Sequence, residues 1–95
     1  MVKFIDSRDS GKTRKLLSSC CEDPKALFVC AHPYRVADKC RAYGIPCVEA
    51  IGYEEYITAV KNNDPVLGNR DIYIDEIERF VSMFCKLQGY SLSLD

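Results

Sequence analysis

The sequence feature that most constrains the fold is the unbroken apolar run ALFVCA at residues 26–31. A strand with one face in water alternates apolar and polar side chains, whereas a parallel strand covered on both faces is apolar throughout. The run therefore predicts an inner strand of a parallel sheet, with other elements packed on both of its faces.

Strand and helix patterns alternate along the rest of the chain. The predicted strands are 2–5, 26–31, 46–50, 71–75 and 90–94, and helices with apolar residues at i, i+3 and i+4 are predicted from Thr13, Pro33, Tyr53 and Ile77. Strands that alternate with helices favour an α/β fold. We therefore expect a three-layer domain, with a mostly parallel sheet of about five strands and helices on both faces.

Length and charge limit the classes of protein that fit. A chain of 95 residues allows one domain. Its net charge of −1 argues against binding nucleic acid through bulk charge, although Lys12, Arg14 and Lys15 form a local basic cluster. No apolar segment approaches the roughly 20 residues that span a bilayer, and the first residues do not resemble a signal peptide. We therefore expect a cytoplasmic protein without a membrane partner.

Six cysteines raise the question of a structural metal or of disulfides. None of them forms a C-x-x-C pair, and the sequence contains a single histidine, His32. A structural zinc site usually needs paired short spacings. We therefore expect no structural zinc, and reduced thiols that are mostly buried as small apolar side chains.

The stretch SGKT, which starts at Ser10, follows the first predicted strand and opens the first predicted helix. A phosphate-binding loop needs this context, because backbone N–H groups at a helix start attract phosphate. Ser10 and Gly11 would line the nucleotide, and Gly11 would let the backbone approach it closely. Lys12 would contact the β- and γ-phosphates, and Thr13 would hold Mg²⁺. The alternative is an ordinary helix start capped by Ser10, with Lys12 in solvent.

A second motif, DIYIDE, ends a predicted strand with two adjacent carboxylates. Asp75 would complete the Mg²⁺ site beside Thr13, and Glu76 would orient or deprotonate the attacking water. The alternative is a helix whose first turn is acidic because the helix dipole favours it. Both motifs occur in the expected order and on the expected elements, which favours a nucleotide site.

Together the two motifs resemble the Walker A and Walker B motifs of P-loop NTPases of the additional-strand, catalytic-glutamate type, which include helicases and phage terminases. SRDSGKT is similar to the glycine-rich loop of the terminases, which implies that Arg8 is a phosphate-sensing, catalytic arginine. The alternative is a solvated loop arginine that pairs with Asp6 or Asp9. ALFVCAHPYRVADKC and IDEIERFV resemble helicase motifs Ia and II, and YSLSLD lies where the motif III strand would enter the sheet. The resemblance implies one P-loop domain over residues 1–95 that binds Mg²⁺ with ATP or another NTP.

The loop also departs from that family, because Asp6 and Asp9 stand where the family has glycines. Two classes of function therefore stay open. One is a small ATPase or ATP-binding switch with slow hydrolysis, of phage origin, that acts with partner proteins or as a homo-oligomer. The other is a non-catalytic interaction or inhibitor protein on a P-loop scaffold. A nucleotide kinase is a weaker alternative, because the chain has no evident lid insertion with paired arginines.

Overall fold

The computed structural model describes residues 11–86 together with residues 88, 89 and 91. Four α-helices and three β-strands lie within this part of the chain, and short 3₁₀ turns occupy Pro33–Arg35 and Pro65–Leu67. The helices are α1 (Lys12–Cys21), α2 (Val36–Tyr43), α3 (Tyr53–Lys61) and α4 (Ile77–Phe84), and the strands are β1 (Ala26–Cys30), β2 (Ala50–Gly52) and β3 (Asp71–Ile74).

The strands form one parallel sheet in the order β2-β1-β3. Phe28 in the middle of β1 is in register with Ala50 on one side and with Tyr73 on the other. Because all three strands run in the same direction, their carboxyl ends meet at one edge of the sheet. This is the edge at which α/β proteins bind their ligands.

The core is built around β1, in which every residue is buried, as the apolar run predicts. Phe28 packs on one face of the sheet with Leu17 of α1 and Cys40 of α2. Leu27 and Val29 point to the opposite face, because successive side chains of a strand alternate. Helix α3 contacts β1 and β2. Helices therefore cover both faces of the inner strand, and the prediction of an α/β arrangement agrees with the structure.

The prediction of a P-loop domain with about five strands is wrong, because the sheet in the described part of the chain has three. Four helices and their connections use most of a chain of 95 residues, which leaves too little for a five-stranded domain. The predicted strand 2–5 lies outside the described residues. Of the predicted strand 90–94 only Ser91 is described, and it belongs to no strand.

The predicted strand 46–50 is also displaced, since β2 starts only at its last residue, Ala50. Pro46 has no backbone N–H to donate, so it fits poorly into a hydrogen-bonded ladder. The predicted helices are confirmed, and α2 ends at Gly44, whose left-handed backbone (φ 69°) favours glycine.

The cysteines of the described residues carry unpaired thiols. Cys20, Cys30 and Cys40 are buried in the core, and burial raises the pKa of Cys20 to about 12, so this thiol stays protonated at neutral pH. Cys47 and Cys85 are exposed, which differs from the prediction of mostly buried thiols. Within the described residues, no helix has the length and apolar character needed to cross a membrane.

Candidate functional site

The start of α1 meets the end of β3 at the carboxyl edge of the sheet. The Thr13 hydroxyl donates a hydrogen bond to Asp75, with distances of 3.0 Å to Oδ2 and 3.3 Å to Oδ1. These residues are separated by 62 positions in the sequence. The fold therefore brings together the two side chains that were predicted, from separate motifs, to share a Mg²⁺ ion.

Helix α1 starts directly after a glycine with a left-handed backbone. Gly11 adopts a left-handed conformation (φ 84°, ψ 20°), and its carbonyl accepts the helical hydrogen bond from the N–H of Lys15 at 3.0 Å. Lys12 is the first helical residue. The first N–H groups of a helix have no partner within it, and they carry the positive end of its dipole. Ser10 and Arg8, also predicted to belong to the site, lie outside the described residues, as do the two aspartates of the loop.

Replacing Gly11 by alanine is expected to lower both stability and nucleotide affinity. A side chain costs about 1–2 kcal/mol in the left-handed region, although a Cβ at Gly11 would meet no atom within 4 Å. Gly44→Ala is the matched control, because its φ is also positive and its Cβ would also be unobstructed. Urea denaturation should show similar destabilisation in both variants, whereas calorimetry with MgATP should show weaker binding only in Gly11→Ala. Equal affinities in the two variants would remove Gly11 from the site.

Asp75 is the buried charged residue of the described core, with 8% of its surface exposed. Burial raises the pKa of its carboxyl group above the usual value. The hydrogen bond from Thr13 opposes this shift, the nearby Glu76 adds to it, and the positive charge of Lys39 opposes it. A nearby cation stabilises the charged form of such a buried carboxylate, because its attraction offsets the solvation that burial removes.

Glu76 follows directly and is oriented differently. Its backbone is left-handed (φ 52°), an uncommon state for a residue with a side chain, and it stands at the N-terminus of α4. Its carboxylate is partly exposed and lies 3.5 Å from Arg79 (Oε2 to a guanidinium nitrogen). The two acidic neighbours therefore differ: Asp75 faces the protein interior and Thr13, whereas Glu76 faces solvent.

A cleft of about 130 Å³ opens beside this acidic pair. Its walls include Lys39 and Arg79, so cationic side chains flank the two carboxylates. Sequence reasoning missed both cations. Each lies in a stretch that resembles a helicase motif, but neither was assigned a role there, and the two come from different helices. It also missed Tyr53, which was assigned only to an apolar helix face. The buried Tyr53 hydroxyl donates to the backbone carbonyl of Asp75 at 2.7 Å.

A second cleft, of about 180 Å³, lies near the opposite edge of the sheet and contains Arg70. This arginine donates hydrogen bonds to the carbonyls of Lys25 and Ala26 and to the carboxylate of Glu49. Its guanidinium therefore joins the starts of β1 and β3 to the loop before β2. These bonds account for Arg70 as a structural residue.

The residues at the carboxyl edge suit a metal that is shared with phosphates. Among residues 11–86, 88, 89 and 91, no three histidine, cysteine or acidic side chains converge to hold an ion by themselves. Mg²⁺ typically takes one or two protein oxygens and completes its shell with phosphate oxygens and water. The Thr13 hydroxyl and the Asp75 carboxylate supply hard oxygens of this kind.

Comparison with protein-family models, curated proteins and solved structures gave no match to this chain. The interpretation of the site therefore rests on its geometry and on the chemistry of its residues.

Proposed function

We propose that this chain binds ATP or another NTP together with Mg²⁺ and hydrolyses it slowly, as a small switch or subunit that acts with partner proteins. The observation that carries the proposal is the hydrogen bond of 3.0 Å between Thr13 and Asp75. It joins the end of the SGKT stretch to the end of the DIYID strand, across 62 positions of sequence. This contact lies at the carboxyl edge of the sheet, where α/β proteins in general bind their ligands.

Each residue of the site has a distinct role in this proposal. The N–H groups at the start of α1 and the Lys12 ammonium bind the phosphate oxygens, and Gly11 leaves room for them. Thr13 and Asp75 hold the metal, which when bound neutralises charge on the phosphates. The nucleotide-binding role proposed for Ser10 comes from the SGKT motif, and the catalytic role proposed for Arg8 is the one implied by the terminase resemblance.

Glu76 is proposed to orient the attacking water or accept its proton. Its carboxylate is accessible and stands next to the proposed metal-binding carboxylate, which suits a group that handles water. Arg79 holds it at 3.5 Å by an ion pair three residues along α4. Such a partly exposed pair is weak, of the order of 0–1 kcal/mol, so it leaves the carboxylate able to change partners.

Lys12→Ala tests the anion site. A charge-assisted hydrogen bond contributes about 1.5–3 kcal/mol, so the variant is expected to bind MgATP about 10- to 150-fold more weakly. Lys15→Ala is the matched control, because Lys15 is an exposed lysine on the same helix. Calorimetry on wild type and both variants measures the difference. Equal affinity in Lys12→Ala and wild type would exclude Lys12 from the site, and an absence of binding in wild type would refute the proposed function.

A second candidate function is a non-catalytic interaction protein, and α4 favours it. This helix has no fully buried residue, and its apolar side chains Ile77, Met83 and Phe84 are 47%, 50% and 44% exposed. An exposed apolar helix face is typical of surfaces that contact other proteins. A turnover assay separates the two candidates: MgATP binding without hydrolysis favours the interaction protein, whereas hydrolysis that depends on Glu76 favours the ATPase.

A further inference from the structure

We propose that Tyr53 is a positioning residue. It fixes the backbone of the corner between β3 and α4, which consists of Asp75 and Glu76, so that both carboxylates keep their positions. The proposal rests on the proposed nucleotide function of that pair. Its basis is a side chain from another helix whose hydroxyl donates to the backbone carbonyl of Asp75 at 2.7 Å and lies 3.5 Å from that of Glu76.

The backbone of Asp75 is fixed on both sides. Its N–H donates to the carbonyl of Val29 at 2.9 Å, which extends the pairing of β3 with the inner strand by one residue. Its carbonyl accepts from Tyr53. The residue that follows is Glu76, whose φ of 52° puts it in the left-handed region. A residue with a side chain stays there only where surrounding contacts determine its backbone, and the Tyr53 hydroxyl is such a contact.

The Tyr53 ring itself has little freedom. The residue is 2% exposed, and its ring meets that of Phe80 edge-on, with 5.3 Å between centroids. The hydroxyl therefore remains directed at the corner.

The hydroxyl matters because it controls the direction of two side chains at once. The Asp75 carboxylate must stay beside Thr13, and Glu76 must stay in the wall of the cleft next to it. Without the hydroxyl, the Asp75 carbonyl loses its partner on that side and Glu76 is expected to relax toward the right-handed region that other residues prefer. Both carboxylates would then leave the arrangement on which metal-dependent binding rests.

Tyr53→Phe removes only the hydroxyl and keeps the ring against Phe80. Tyr56→Phe is the matched control, because Tyr56 lies on the same helix and its ring also contacts Phe80, at 6.0 Å. Two measurements are made on wild type and both variants. Backbone chemical shifts report the conformation of Glu76 without any ligand, and calorimetry with ATP in Mg²⁺ and in EDTA gives the gain in affinity that Mg²⁺ provides.

Tyr53→Phe is expected to move Glu76 out of the left-handed region and to lower the Mg²⁺-dependent gain about 10-fold, as the loss of an outer-shell partner of a metal site does. The affinity of Tyr53→Phe for ATP in EDTA should equal that of wild type, because the start of α1 is untouched. Equal losses of ATP affinity in Mg²⁺ and in EDTA would show that Tyr53 has a merely structural role. Wild-type shifts for Glu76, or a full Mg²⁺ gain in Tyr53→Phe, would overturn the inference while leaving the proposed function standing. If wild type binds no MgATP, both fail.

Discussion

Glu76→Gln is expected to lower ATP turnover by about 10²–10⁴-fold, the usual contribution of a general base, while MgATP affinity stays unchanged. Glutamine keeps the length and hydrogen-bonding capacity of the side chain but cannot accept a proton from water. The backbone of the corner and the metal-binding carboxylate of Asp75 are preserved. Single-turnover phosphate release and calorimetry together separate the chemical step from binding.

Glu78→Gln provides the control for charge, because Glu78 is an exposed carboxylate in the first turn of the same helix. Both variants remove one negative charge near the N-terminus of α4, so any effect of net charge or of the helix dipole should appear in both. A large loss of turnover only in Glu76→Gln supports the catalytic role. An unchanged rate in Glu76→Gln would show that another group handles the water.

Asp75→Asn is expected to reduce the gain in ATP affinity that Mg²⁺ provides by at least about 10–100-fold, because that is the range for losing a partner of a metal ligand and Asp75 is a proposed ligand itself. The asparagine amide has nearly the same shape as the aspartate carboxylate and can still hydrogen-bond to Thr13. It carries no negative charge, however, to attract Mg²⁺. Calorimetry with ATP in Mg²⁺ and in EDTA measures the gain. The same gain in wild type and Asp75→Asn would contradict the assignment of Asp75 to the metal.

The same substitution should make the fold more stable at neutral pH. Burial raises the folded-state pKa of Asp75 above the ordinary 3.8, so the charged form is the one that folding disfavours. This cost to the free energy of folding is absent at a pH where the carboxyl is protonated in both the folded and the unfolded state. It reaches its full size at a pH above the raised folded-state pKa. Urea denaturation should therefore show Asp75→Asn more stable than wild type at neutral pH, with a difference that shrinks as the pH falls toward about 4. A substitution that raises folding stability while it weakens Mg²⁺-dependent binding is what we expect at a functional site.

Local patterns in the sequence were enough to predict the elements that carry the site. The apolar run at 26–31 predicted β1, because a parallel strand covered on both faces is apolar throughout. The stretch before Asp75 predicted β3, and the SGKT stretch predicted the start of α1. The proximity of Thr13 and Asp75 was predicted from the order of the two motifs, SGKT at a helix start and DIYIDE at a strand end.

Other features depend on contacts between distant segments, which a single sequence does not show. Lys39 and Arg79 reach the cleft from two helices, and no spacing links them. Tyr53 fits the apolar stripe of α3, so its hydrogen bond to Asp75 is visible only once α3 and β3 are both in place. The left-handed backbone of Glu76 has no glycine to signal it. The apolar spacing from Ile77 predicted α4 as a helix, but it did not show that none of the helix residues would be fully buried.

The central claim, that a magnesium nucleotide binds at the junction of α1 and β3, is tested most directly by recording amide chemical shifts of the wild-type protein during a titration with MgATP. We predict saturable shifts that are largest at Gly11, Lys12 and Thr13 and at Asp75 and Glu76. The two loops that contain Asp23 and Arg70, near the opposite edge of the sheet, should change little. Saturable shifts centred on that opposite edge, or none at all with MgATP, would contradict the account.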